Sequence, residues 1–307
     1  MIGTMIDMTA FRDEIGDVGS VCVRGGGTRW TVGGPVGDSV GDLAGGPSDV
    51  RSVSAPTGIE SIQPAEMTVV VGAGTTVADL ASALAEHGQE VALDGPVNAT
   101  VGGSLMVGRN SLRRGRLGEV ADVLLQADCV GADGQAFTAG GPTVKNVTGF
   151  DLCRLLVGSL GTLALVGRVI LRTRPVPEAG TWMTGEVATG PVVDAVYRPA
   201  TVLWDGLRTT VRIEGDGADV AHEKRILEGL GLTETAEPVL PAEWDRWSGT
   251  LPVGGVRAVG AGVVHRPDPV GPPEVAAGVR ALGDRMRDSF DPSRRLNPGR
   301  DPQRMTA

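Results

Sequence analysis

The sequence predicts an α+β protein in three parts, residues 1–177, 178–285 and 286–307, and three observations lead there. From residue 20 to 175, short valine-rich runs alternate with glycine loops, as in Val21-Cys22-Val23 before Gly25-Gly26-Gly27 and Met67-Thr68-Val69-Val70-Val71 before Gly72-Ala73-Gly74. Past Pro177 the glycine clusters thin out, and Trp182, Trp204, Trp244, Trp247 and the single tyrosine, Tyr197, gather there. The tail, Phe290-Asp291-Pro292-Ser293-Arg294-Arg295-Leu296-Asn297-Pro298-Gly299-Arg300, is dense in turn formers. A chain of 307 residues has ample length for more than one core.

Residues 1–20 read as a short helix or arm. A strand over 20–24 leads into Arg24-Gly25-Gly26-Gly27-Thr28. Three consecutive glycines free the backbone for φ > 0 and remove every Cβ that would hold a ligand away. N–H groups curled in this way make a concavity for an anion such as a pyrophosphate. The same residues would also make a flexible turn, and a lone glycine loop does not separate the two. Residues 31–66 are rich in Gly, Pro and Ser, with small strands at 50–53 and 59–62. After the buried strand 67–71, Thr76 and Asp79 form a capping box for a helix over 77–87; Leu80 and Leu84 are its packing face and Gly88 its stop. The Gly72-x-Gly74 pair is not a Rossmann fingerprint, because Val77 stands where the third glycine belongs and no acidic residue closes a second strand.

Asp94 to Leu105 carries a second glycine pair, Gly102-Gly103, flanked by Thr100 and Ser104, which suits a β-turn before a short helix or a second ligand-facing loop. Arg109, Arg113, Arg114 and Arg116 predict an exposed loop. Residues 119–130 alternate as a strand with Val123, Leu125, Ala127 and Cys129 on one face, and 136–138 return as its hairpin partner. Asp151 caps a helix over 152–157, and 158–166 turn into a long strand over 166–172. The second part offers strands at 182–188, 192–197, 208–213 and 256–264 around a helix at 218–230, in an antiparallel sheet, and a helix over 274–288 precedes the tail.

The net charge of −9 and the lack of a basic patch argue against nucleic acid. Cys22, Cys129 and Cys153 lie far apart among apolar neighbours and read as reduced core residues. No CxxC occurs and His87, His222 and His265 have no ligand spacing, so neither an iron–sulfur cluster nor a metal site is expected in this chain. With no signal pattern at the start and no run of the roughly 18 apolar residues a membrane span needs, the protein is expected in the cytoplasm, or at a membrane only through a partner. Only two of 28 basic residues are lysines, Lys145 and Lys224. Lys145 suits either a fixed cation at a site or a surface ion pair with Asp151.

The ordered set Arg-Gly-Gly-Gly-Thr at 24–28, Ala-Gly-Thr-Thr-Val-Ala-Asp-Leu at 73–80, Ala-Thr-Val-Gly-Gly at 99–103, Val-Lys-Asn-Val-Thr-Gly-Phe-Asp-Leu at 144–152, Gly-Ser-Leu-Gly-Thr-Leu at 158–163 and Leu-Asn-Pro-Gly-Arg at 296–300 resembles the PCMH-type FAD-binding fold of the vanillyl-alcohol oxidase family. Within it the set is most similar to the FAD-binding subunits of bacterial glycolate oxidases. The resemblance implies a two-subdomain FAD-binding domain over 1–177, a small α+β cap over 178–285 and a C-terminal segment, 286–307, returning to the FAD domain. It implies that Arg24, Gly25, Gly26, Gly27 and Thr28 wrap the FAD pyrophosphate. Pro96, Thr100, Gly102, Gly103 and Ser104 would form a second wall whose N–H groups and hydroxyls face phosphate or flavin. Gly161, Val166 and Asn297 would complete the site, Val166 through its backbone, with Lys145 as a cation near the flavin.

Relatives that bind flavin covalently through the first loop place a histidine after its glycines; Thr28 stands here, which implies non-covalent FAD. Relatives that oxidise 2-hydroxy acids alone carry several histidines in the cap, and 178–285 has no such cluster, so no catalytic residue is assigned. The implied function is an FAD-binding subunit of a glycolate- or lactate-type dehydrogenase, taking part in electron transfer beside a catalytic flavin subunit and an iron–sulfur subunit, with a small 2-hydroxy acid as the complex's substrate. A self-sufficient FAD oxidoreductase, or a structural subunit that has lost FAD, are the alternatives.

Overall fold

The computed structural model describes residues 5–34, 50–142, 151–269, 271 and 273–305. The chain forms two compact units: Met1–Arg109, Val120–Pro175 and Pro273–Met305 make the first, Asn110–Glu119 and Val176–Pro272 the second. The helix Ala277–Phe290 and the tail therefore group with the first unit, and the arginine-rich stretch after Arg109 with the second.

The first unit is built on a five-stranded antiparallel sheet with strand order Ile59–Gln63, Thr68–Gly72, Leu165–Arg172, Leu124–Val130, Ala136–Gly140. Val69, Val71, Ala127, Val169 and Leu171 are buried along it, and each Val or Leu so buried contributes about 1.5–3 kcal/mol. Across the sheet Arg168 joins Glu60 (2.7 Å) and Asp128 (2.7 Å). The expected alternation holds at Ala127 and Cys129, but a register shift between Leu124 and Gln126 buries Leu124 and leaves Leu125 half-buried.

Beside this sheet, Val21–Val23 pairs in parallel with Arg51–Val53. Val21 also bridges to Leu296, so the tail runs alongside the strand that feeds the glycine loop. Asp291 anchors the tail: its buried carboxylate accepts the N–H groups of Arg295 (2.9 Å) and Leu296 (2.8 Å). The Arg295 guanidinium, buried in turn, donates to the carbonyls of Ile15 (2.8 Å) and Gly19 (2.7 Å).

The second unit is a seven-stranded antiparallel sheet in the order Thr233–Thr235, Ala179–Gly185, Thr209–Gly215, Thr201–Trp204, Val256–Ala258, Val263–Arg266, Glu243–Arg246. Helices Thr189–Ala195 and Gly217–Gly229 cover it, burying Met183, Val192, Val211, Ile213 and Leu227. Three expectations are corrected here. The valine-rich stretch expected as a strand at 192–197 is mostly the helix Thr189–Ala195, because Pro191 sits in its first turn, where a missing N–H costs nothing. The single strand expected over 256–264 is a hairpin, its turn carried by Gly260 and Gly262 at φ +83° and +69°. The arginine stretch is no exposed loop: Arg114–Leu117 is a helical turn, and Arg113 (2.7 Å), Arg116 (3.8 Å) and Arg212 all reach the fully buried carboxylate of Glu214.

Candidate functional site

Local sequence places three loops of the first unit side by side. The strand Val21–Val23 ends where Arg24 N–H donates to Val53 O (3.1 Å). From Gly25 to Arg29, no backbone N–H donates a hydrogen bond among the described residues. Five consecutive N–H groups are therefore left without a partner in a loop with little side chain in the way. The glycines are required by contact as well as by conformation. A Cβ on Gly26 would lie 1.7 Å from Asn98 O, one on Gly25 would lie 2.4 Å from Thr100 Oγ1, and Gly27 adopts φ +69°.

The second wall is the helix Val101–Val107, with Thr100 as its N-cap accepting from Gly103 N–H (3.1 Å). The expectation that its N–H groups face a ligand is corrected. Val101 N–H donates to Thr75 O (2.9 Å), Gly102 N–H to Ala73 O (2.8 Å) and Ser104 N–H to Thr100 O (2.9 Å). The backbone of this wall is occupied by the third loop, Ala73–Thr76. What the wall offers is the Ser104 hydroxyl, which is buried and has no partner.

Together the loops enclose a cleft of about 400 Å³. Of the residues expected at the site, Arg24, Gly25, Gly26, Gly27 and Thr28 line it, as do Thr100, Gly102, Gly103 and Ser104. Gly161, Val166 and Asn297 line it as well. Asn297 is committed to architecture. Its Nδ2 donates to Leu160 O and Gly161 O (both 3.0 Å) and its Oδ1 accepts from Val23 N–H (3.1 Å), tying the tail to both the glycine-loop strand and the 158–163 turn. Pro96 is not on the lining; its carbonyl closes the turn to Ala99 N–H (2.7 Å) that presents Asn98 to Gly26. Lys145 lies outside the described residues.

Among the lining residues not assigned to the site from sequence are Arg29, Trp30 and Arg300. Arg29 donates to Asp94 O (2.8 Å), and burial lowers its pKa. Arg109 is lowered to about 10, by burial and then by repulsion from Arg29. Trp30 was visible as an aromatic just after the loop in a chain only 3% aromatic, whereas the approach of Arg300 to it depends on the tail's return. Among the described residues, no His, Asp, Glu, Lys or Cys lines the cleft, and no group of three His, Cys, Asp or Glu side chains could hold a metal.

Residues 17–140 match the model of a family described as "FAD binding domain". This stretch is an FAD binding domain. Its cofactor is FAD, and the cleft fits the part of a dinucleotide that a domain of this kind must hold: five free N–H groups, glycines that admit close approach, and an orphaned hydroxyl on the same lining. Among curated relatives, the chain is 28% identical over 188 residues to glycolate oxidase subunit GlcE of Escherichia coli, spanning 56% of this chain and 52% of that one. It is 34% identical over 156 residues to the D-lactate dehydrogenase of Archaeoglobus fulgidus (50% of this chain, 33% of that one), and 38% identical over 80 residues to glycolate oxidase subunit GlcD of Bacillus subtilis (26% and 17%). The chain thus spans about half the length of the first of these relatives and less of the others. A solved structure of alkyldihydroxyacetonephosphate synthase superposes with a TM-score of 0.52 at 15% identity, over 70% of this chain and 47% of that one, which is a likeness of fold. No helix among the described residues is long and apolar enough to cross a membrane.

Proposed function

We propose that this protein is the FAD-binding subunit of a multi-subunit 2-hydroxy-acid dehydrogenase of the glycolate or lactate type, holding FAD non-covalently and passing electrons within the complex. The single observation that carries this reading is the loop from Gly25 to Arg29, whose five unpaired N–H groups share the lining of a glycine-walled cleft with the unpartnered Ser104 hydroxyl, inside an FAD binding domain. The bound FAD supplies the redox chemistry. The chain's own residues orient it: the loop amides hold the pyrophosphate, Ser104 makes one further hydrogen bond, and Asn297 ties the strand before the glycine loop to the 158–163 turn.

Two features favour a subunit over a stand-alone oxidase. The described lining of the cleft presents guanidiniums, hydroxyls and amides, and no side chain that takes up a proton at neutral pH. Two of the relatives are themselves named as subunits of a glycolate oxidase. The remaining partners would be a catalytic flavin subunit and an iron–sulfur subunit, with any membrane contact made through them. Thr28 at the position where a covalent link would need histidine, and a described lining without cysteine, support free rather than tethered FAD.

Purification of the chain alone tests this. The expected result is a yellow protein, or a colourless one that turns yellow with added FAD, whose flavin is released by acid as intact FAD and is not bleached by glycolate or lactate until partner subunits are added. Bleaching by a 2-hydroxy acid without partners would establish a self-sufficient oxidoreductase instead. Failure to take up FAD would leave a structural subunit.

A further inference from the structure

Trp30 carries two guanidiniums. The Arg24 guanidinium carbon sits over its ring at 5.2 Å from the centroid, and that of Arg300 at 4.3 Å. All three residues line the cleft. Neither arginine pairs with a carboxylate among the described residues. Arg24 makes no side-chain hydrogen bond there, and Arg300 makes one, to Val32 O (2.6 Å). Arg300 is only 8% exposed, and burial lowers its pKa.

This arrangement is costly on its own terms. The Arg300 guanidinium is buried without a counter-charge, which is disfavoured, and the exposed Arg24 guanidinium on the same ring repels it. The shortage is not of acids, since Asp and Glu number 37 against 28 Lys and Arg. A ring face attracts each cation by only about 0.5–2 kcal/mol, which holds the side chains in place without neutralising them. The buried Arg300 and the exposed Arg24 put two positive charges beside five free N–H groups, which matches a ligand with two negative charges close together.

We infer that Arg24, Trp30 and Arg300 form a stacked clamp for the pyrophosphate of the bound dinucleotide, with Trp30 as the positioning residue that holds both cations toward the cleft. The clamp rests on the reading of the cleft as an FAD site, and adds that affinity there is set largely by two guanidiniums, one of them delivered by the C-terminal tail. On this basis the tail does more than brace the domain: it closes the anion site.

The test is titration of flavin-free full-length chain with FAD and, separately, with ADP, at low and high sodium chloride. Arg300→Gln should weaken both ligands about tenfold or more and flatten the salt dependence, because one screened charge pair has gone. Arg300→Lys should recover part of the loss, since it keeps the charge but not the planar stack. Trp30→Phe should bind nearly as wild type. Trp30→Leu, which leaves the Arg300–Val32 bond available, should lose about as much as Arg300→Gln. Thermal unfolding of each variant shows whether the fold persists. Wild-type affinity and salt dependence in both Arg300→Gln and Trp30→Leu overturn the clamp, as does weakened binding with the salt dependence unchanged, which marks a merely structural role. Binding of ADP but not FAD by the wild-type chain overturns the flavin reading while leaving the clamp standing.

Discussion

Arginine is put to opposite uses in two clusters, one in each unit. In the second, Arg113, Arg116 and Arg212 converge on one fully buried carboxylate, Glu214, and Arg113 holds it with bonds from both Nε (2.8 Å) and Nη2 (2.7 Å). In the first, Arg24 and Arg300 converge on the face of Trp30 with no carboxylate between them. A guanidinium closed onto a buried acid is part of the scaffold. One held by an aromatic ring on the lining of a glycine-walled cleft, without a carboxylate, has its charge available to a ligand. Pairing, more than residue type, separates structure from function here, and each prediction below tests that division.

The largest effect is expected at Gly26. A methyl there would need Asn98 O to move from 1.7 Å, and Asn98 is held by the short turn from Pro96 to Ala99. Gly26→Ala should therefore abolish measurable FAD binding, a loss of about 100-fold or more, roughly 3 kcal/mol. The second unit should be untouched. Equilibrium titration with FAD and a thermal melt check the two halves; tight FAD binding by Gly26→Ala would show that the loops are not fixed at this separation.

Next in size is Glu214. Burial pushes its carboxyl up, but hydrogen bonds and charge from Arg113 and Arg212 outweigh this and hold it below the ordinary glutamate range. A carboxylate depressed in the folded state stabilises the fold fully above its unfolded pKa, and that contribution fades as pH falls through the folded value. Glu214→Gln should cost about 3 kcal/mol near pH 7, because guanidiniums gathered on one acid are left without it. The penalty should shrink in acid, where the wild-type carboxyl is itself protonated. Denaturant unfolding at neutral and acidic pH measures both. FAD affinity should not change, and a change would mean that the scaffold arginines also serve the cofactor.

Much of this was legible in the sequence, and the reasons differ by residue. The glycine loop and the Gly102-Gly103 pair were readable because close backbone approach leaves only glycine as a solution. The caps at Thr76 and Asp151 were readable because a short polar side chain before an apolar run has one common use, whereas Thr100 was read only as a hydroxyl beside a glycine pair. Val192 and Val193 pointed to a strand because β-branched residues favour one, and only the packing of Val192 against Met183 and Leu227 shows that a helix won. Least legible were Arg300 and Glu214. Their meaning depends on partners far away in the chain, Trp30 in one case and Arg113 in the other, which no local pattern brings together.

The finest test uses two hydroxyls in the same cleft. Ser104 Oγ is buried and unpartnered. Thr76 Oγ1 also lies on the lining, but it accepts from Asp79 N–H (3.0 Å) and donates to the Asp79 carboxylate (2.7 Å), so its capacity is spent on the helix Val77–Ala85. If pairing decides, the two substitutions should have mirror-image effects. Ser104→Ala should leave stability unchanged or slightly raised, since an unsatisfied buried oxygen is removed, and should weaken FAD by about 3–10-fold, the worth of one net hydrogen bond. Thr76→Ala should cost about 1 kcal/mol of stability through loss of the N-cap and leave FAD affinity within twofold of wild type. Melting and titration of both variants under one buffer give four numbers. A shared pattern, with both losing affinity or both losing stability, would show that position in the cleft outweighs prior bonding. The crossed pattern would extend the arginine comparison to uncharged groups, where no long-range charge effect can account for it.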